Sequence, residues 1–231
     1  MNGTLAYAVR HGLLAANPCA GLTPDDWPRA SERKTYEWSD REIEVLLLVA
    51  LESVSENIHL ILLAAVDTGL RLSELLGLRW GDVDLEEGVL HVRHQLSRSG
   101  SYEEPKTKAG KRRVPLGEDI ADALGASRFA SNYPRDDDPV FAGVDGRPLQ
   151  HRGVQRGFDS AREKARKRPR LSGAYQHDDG SPVTFHDLRH AFASRCASRG
   201  VPVGTPLRDH GPCERRHYPE HLHSPIRTRG S

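Results

Sequence analysis

The chain has 231 residues, 28% of them charged and 37% hydrophobic, with a formal net charge of +1. That length accommodates one large or two small domains with a buried core, and the composition excludes collagen-like, low-complexity and wholly disordered chains. The longest apolar stretch, Leu60 to Val66, is far short of the roughly 20 residues of a membrane span, and no basic-then-apolar signal peptide is present, so a cytoplasmic protein is expected.

Residues 5–15 read as the end of an amphipathic helix, closed by Asn17-Pro18 and followed by a Pro- and Asp-containing linker to Pro28. One helix cannot make a domain. The main body opens at Ser39, where Ser39-x-x-Glu42 forms a capping box ahead of Val45, Leu46, Leu47 and Val49. A second helix is expected from Glu56 to Thr68, stopped by Gly69, and a short one between Arg71 and Leu78, with Leu72, Leu75 and Leu76 on one face. Strands follow at Gly88–Arg93 and Arg113–Leu116, bounded by turn residues, with Lys108–Lys111 as a turn. Helical spacing resumes at Asp119–Ala126, Arg152–Lys167 and His186–Ser198. The expected fold is therefore mainly α with a small antiparallel β-sheet. Residues 201–231 hold five of the 15 prolines and four of the 12 histidines, with no helical or strand period.

Cys19, Cys196 and Cys213 are odd in number and widely spaced, which excludes a disulfide scaffold or a zinc ribbon. The charge is unevenly distributed. Residues 1–90 contain 7 Lys and Arg against 15 Asp and Glu, whereas residues 91–231 contain 26 against 17. A basic remainder of this kind suits a polyanion.

Several basic side chains sit at the edges of expected elements. Arg71 follows a glycine turn that would aim its guanidinium away from the core, although an arginine at a helix start is by itself an ordinary surface residue. Lys106 lies beside a turn rich in Lys108, Lys111, Arg112 and Arg113, which is equally compatible with a solvated hairpin. His186 and Arg189, three apart, share a helix face. His190 stands at i+4 from His186, but no carboxylate or cysteine follows at a spacing that would complete a metal site.

Taken in order, these residues resemble the catalytic domain of the tyrosine recombinases, the phage integrase family. The resemblance rests on Thr68-Gly-Leu-Arg-Leu-Ser-Glu-Leu-Leu-Gly-Leu-Arg-Trp-Gly-Asp-Val-Asp84, on Pro105-Lys-Thr-Lys-Ala-Gly-Lys-Arg-Arg-Val-Pro-Leu116 and on Thr184-Phe-His-Asp-Leu-Arg-His-Ala-Phe-Ala-Ser194. It spans residues 37–200 as a catalytic domain and makes residues 1–28 look like the last helix and linker of a DNA core-binding domain, the rest of which is absent.

The resemblance implies site-specific DNA recombination or integration, in which a tyrosine hydroxyl attacks a backbone phosphate. The bond energy is kept in a phosphotyrosine, so neither metal nor other cofactor is implied. On that analogy Arg71 and Arg189 hold the non-bridging oxygens of the phosphate, where guanidinium offsets the charge of the transition state. Lys106 would protonate the leaving oxygen, with Lys108 as its rival; His186 would assist at the phosphate, and Glu74 would orient Arg71 or His186. Trp80 reads as core. Lys111, Arg112 and Arg113, and the run Arg162, Lys164, Arg166 and Lys167, would contact flanking phosphates of double-stranded DNA, although a solvated helix end also accounts for the second run. Full-length recombinase protomers are possible partners, and the protein would work at the nucleoid.

The family's second histidine and tyrosine nucleophile are not readable after Val203. Read one base out of frame, however, His210 to Arg227 can encode MGHASVATTLNIYTHLF, with a histidine codon straddling Pro212 and Cys213 and a tyrosine codon straddling Leu222 and His223. Residues 201–231 are accordingly expected to be an out-of-frame tail, which the nucleotide sequence decides. Tyr218, 29 residues after Arg189, falls short of the nucleophile's place, and Pro219 follows it. His210, His217, His221 and His223 are read as accidents of frame. The expected activity is thus impaired. Two alternatives are a non-catalytic DNA-binding module that modulates a full-length recombinase, and a type IB topoisomerase-like enzyme.

Overall fold

The computed structural model describes residues 2–22, 35–105, 110–171 and 174–198. The chain divides into two units, Met1–Lys34 and Thr35–Ser231. In the first, helix α1 (Asn2–Arg10) ends five residues earlier than its sequence spacing predicts. The cause is Gly12, whose φ of +71° closes a left-handed cap in which Leu13 N–H donates to the Ala8 carbonyl and Gly12 N–H to that of Val9.

In the second unit, α2 (Asp40–Ser53) starts at the predicted box: Ser39 Oγ accepts from the Glu42 N–H at 3.2 Å, and Glu42 Oε2 accepts from the Ser39 N–H at 2.7 Å. Helix α3 (Glu56–Thr68) is buried on nearly every side, as its continuous apolar run requires, and packs against α2 and against later helices of the unit. It stops at Gly69, in the left-handed region at φ +62°. Helix α4 (Leu72–Leu76) follows at once, and a 3-10 turn at Trp80–Asp82 buries the Trp80 ring in the core, as its reading as a core residue expects.

Strands β1 (Val83–Asp84), β2 (Val89–Val92) and β5 (Arg112–Pro115) form an antiparallel sheet in the order β1-β2-β5, with Leu90 opposite Val114 and His91 opposite Arg113. A separate hairpin, β3 (Gln95–Leu96) with β4 (Tyr102–Glu103), lies against α4. There the approach is tight enough that a Cβ on Gly77 would stand 2.7 Å from the Gln95 Cα. Helices α5 (Glu118–Ala130), α6 (His151–Arg166) and α7 (Phe185–Ser198) complete the unit. One core built on α2 and α3 takes in Phe141, Phe158, Tyr175 and Leu188. Among the described residues no helix is long and apolar enough to cross a membrane.

Candidate functional site

The αL turn at Gly69 reverses the chain between α3 and α4 and leaves Arg71 in extended conformation at the head of α4, its side chain 57% exposed. Arginine has no acceptor with which to cap the helix, so only the reciprocal half of a capping box forms: Glu74 Oε2 accepts from the Arg71 N–H at 2.9 Å. Glu74 is 5% exposed, and its Oε1 also accepts from Arg71 Nη1 at 3.2 Å.

Glu74 has a second partner. Arg112 on β5 donates from Nη1 to Oε1 at 3.0 Å and from Nη2 to Oε2 at 2.9 Å, a bidentate fork across 38 residues of sequence. Burial alone would push the Glu74 carboxyl up. The Arg112 fork, the Arg71 N–H and the charge of both guanidinium groups outweigh it and hold the carboxyl below its ordinary range.

From the other side, α7 delivers Arg189, whose Nη1 donates to the Gly69 carbonyl and so ties α7 to the turn that presents Arg71. Burial pushes the Arg189 guanidinium down, the nearby Arg71 charge pushes the same way, Glu74 opposes and Arg112 adds to the effect. His186, one turn earlier, is exposed, and its ring meets that of His190 edge to face at 5.0 Å. Its pKa lies below 6.5, first through the part of the ring that α7 and its neighbours shield from water and then through the charges of His190, Arg189 and Arg71, against which Asp187 acts in the opposite sense. Asp187 itself turns back to the helix start, accepting from the Thr184 N–H at 2.6 Å and hydroxyl at 2.8 Å.

Arg71, Glu74, His186 and Arg189, up to 118 residues apart in sequence, are thereby gathered at one place. Lys106 and Lys108 lie outside the described residues, as do Tyr218, His210, His217, His221 and His223. Among the described residues no group of three or more His, Cys, Asp or Glu is arranged to hold a metal ion.

The basic residues assigned to flanking phosphates divide. Arg113 is exposed on β5, and exposed Lys111 pairs with Glu104 at 2.9 Å. Arg112 departs from the expectation, because its guanidinium is committed to Glu74. Strand alternation is the signal that distinguishes it: Arg112 shares a face with buried Val114, and Arg113 does not. Arg162 is a second correction. It is buried, four residues after core Phe158, and its Nη1 donates at 2.8 Å to both Asp159 Oδ1 and the Val183 carbonyl, so it fastens α6 to the chain entering α7. Lys164 donates to the Ser53 carbonyl at 2.6 Å, Arg166 stands 4.0 Å from Glu163, and Lys167 is exposed.

The phage integrase family profile matches residues 39–205. A tyrosine recombinase XerC-like protein of Caldanaerobacter subterraneus subsp. tengcongensis is 30% identical over 220 residues, covering 86% of this chain and 54% of that protein. Tyrosine recombinase XerC of Xylella fastidiosa is 32% identical over 194 residues, covering 83% and 56%. The chain thus spans about half the length of these curated relatives. Among solved structures, the Tn1549 transposon integrase in complex with a circular intermediate DNA superimposes with a TM-score of 0.67 at 23% identity, covering 87% of this chain and 65% of that one. The lambda integrase dimer bound to a core site gives 0.56 at 22% identity, covering 83% and 62%. These likenesses establish a mainly helical fold with small antiparallel sheets, and with the profile match over most of the chain they place it in the phage integrase family.

Proposed function

We propose that this chain carries the phosphate-gripping part of a DNA recombinase active site, with Arg71 and Arg189 taking the non-bridging oxygens of one backbone phosphate. The observation that supports this is a charge imbalance. Among the described residues, the guanidinium groups of Arg71, Arg112 and Arg189 gather around the carboxylate of Glu74, and Arg112 occupies both of its oxygens. The excess positive charge on Arg71 and Arg189 suits a phosphodiester, which offers two oxygens to two guanidinium groups. His186 is placed to donate a hydrogen bond there; Lys106 acts as general acid, with Lys108 its rival.

In this reading residues 37–200 are the catalytic domain, residues 1–28 the end of a core-binding domain, and residues 201–231 an out-of-frame tail; the family match runs to residue 205, five residues into that tail. The tail lacks the family's second histidine and tyrosine, so the chain binds duplex DNA at the nucleoid, alone or among full-length recombinase protomers, without completing strand transfer. The test combines fluorescence anisotropy on a duplex at several salt concentrations with covalent trapping on nicked duplexes. Salt-sensitive binding lost in Arg71→Ala, with no protein–DNA adduct, is the expected result. A phosphotyrosine adduct mapping to Tyr218 would overturn the impairment, and salt-independent or absent binding would overturn the site.

A further inference from the structure

Resting on the phosphate reading above, we infer that Arg112 is a positioning residue for Arg71. Glu74 is buried and sits between two arginines of very different exposure: Arg112, 25% exposed, holds both carboxylate oxygens at 3.0 and 2.9 Å, while Arg71, 57% exposed, reaches only one of them with its side chain, at 3.2 Å. The same carboxylate holds the Arg71 backbone N–H at 2.9 Å, which fixes the start of α4. Glu74 therefore performs two tasks that conflict. It anchors the Arg71 main chain, and it attracts the Arg71 guanidinium away from an incoming anion.

The Arg112 fork resolves the conflict. By taking both oxygens in the planar geometry that suits a carboxylate, it satisfies most of the Glu74 charge from the protein side and leaves the Arg71 side chain weakly held and turned to solvent. Arg112 Nη1 also donates to the Gly110 carbonyl at 3.3 Å, which secures the fork to the chain that leads into β5. Without Arg112, the whole charge of Glu74 falls to Arg71, and phosphate must then compete with a buried carboxylate for the same guanidinium. A purely structural role for Arg112 would cost stability. A positioning role costs anion affinity, and that cost disappears when the Glu74 charge is removed.

The experiment follows the Nε–Hε resonances of Arg71 and Arg189 by NMR in the full chain during titration with inorganic phosphate. In the parent protein both resonances are expected to shift saturably. Arg112→Gln is expected to weaken phosphate binding about threefold to fivefold, the scale of one partly exposed ion pair, and adding Glu74→Gln to restore it to that of Glu74→Gln alone. Parental affinity in Arg112→Gln, or failure of Glu74→Gln to rescue it, overturns the inference. If Arg112→Gln does not fold, the comparison of Glu74→Gln with the Glu74→Gln/Arg112→Gln pair decides: equal affinities support the inference, and a weaker pair overturns it. Absence of any saturable shift in the parent protein overturns the phosphate reading itself, and the inference with it.

Discussion

Gly69 and Phe192 meet so closely that a Cβ on the glycine would collide with the phenylalanine ring. The glycine is also in the left-handed region, at φ +62°, so it answers two demands at once: the reversal between α3 and α4, and the approach of α7 that lets Arg189 reach the Gly69 carbonyl. Gly69→Ala is expected to lose about 1 kcal/mol to backbone strain and a further 1–3 kcal/mol to overpacking, lowering Tm by roughly 10 °C. Adding Phe192→Ala should relieve the steric part, so that the double variant is more stable than the sum of the singles implies. Strict additivity in thermal melts would show that the ring does not set the spacing.

Much of this arrangement is legible from local chemistry. The Ser39 box, the stop at Gly69 and the strands β2 and β5 each depend on a few adjacent residues, and the structure places each of them close to where the sequence does. The β3–β4 hairpin escapes a sequence reading because two-residue strands carry no alternation, and its position is set by close approach of Gly77 to the β3 backbone. At the site, Arg71, His186 and Arg189 are recognisable as an ordered set, but the division of labour among the basic residues is not. Alternation along β5 sets Arg112 on the face of buried Val114 and Arg113 on the other, but the partner that makes Arg112 an anchor, Glu74, lies on a distant element. Arg162 likewise looks like part of a basic run until the core-facing period of Phe158 and Ala165 is applied to it.

That distinction gives a second expectation. Arg162→Met removes the bonds to Asp159 and the Val183 carbonyl and is expected to destabilise the protein by about 1–3 kcal/mol, with no change in how DNA affinity depends on salt. Arg166→Gln and Lys167→Gln should do the opposite, each reducing the salt slope by about one while leaving the melting temperature within about a degree. Denaturation and salt titrations of the same three variants check this; a reduced slope in Arg162→Met would return that residue to the DNA-facing set.

A third concerns Asp67, near the end of α3. Burial against the start of α5 pushes its carboxyl up to about 6, although the Gly117 N–H donates to Oδ2 at 3.0 Å and the Arg195 charge favours ionisation. Because the folded value exceeds the unfolded one of 3.8, the protonated group favours folding. Its stabilising effect is complete below about pH 4 and is lost as the pH rises through about 6. Relative to Asp67→Asn, which keeps an acceptor and does not titrate, the parent should lose at most about 2–3 kcal/mol between pH 4 and pH 7. Urea midpoints of the two proteins across that range measure the difference, and parallel pH profiles would show that Asp67 ionises as freely as in the unfolded chain.

The last expectation uses His186 to report on the charge at the site. In the free protein its imidazole is held below 6.5, first by burial and then by the cations around it, including Arg189 and Arg71. An anion seated between those guanidinium groups would cancel part of their repulsion, so the pKa should rise when a short DNA duplex is added, and should rise also in Arg71→Ala without DNA. High salt should produce a smaller change in the same direction, since screening acts on the exposed part of the field. Folding follows the same shift. The stability due to neutral His186 is present above pH 6.5 and declines as the pH falls through the depressed value, more steeply in the parent than in Arg71→Ala. Titration of the His186 Cε1 proton by NMR in the free, DNA-bound and Arg71→Ala forms measures each of these shifts. A pKa that moves in Arg71→Ala but stays in place when DNA is added would mean that no phosphate enters between Arg71 and Arg189, because the imidazole would then sense the guanidinium charge and meet no charge that cancels it.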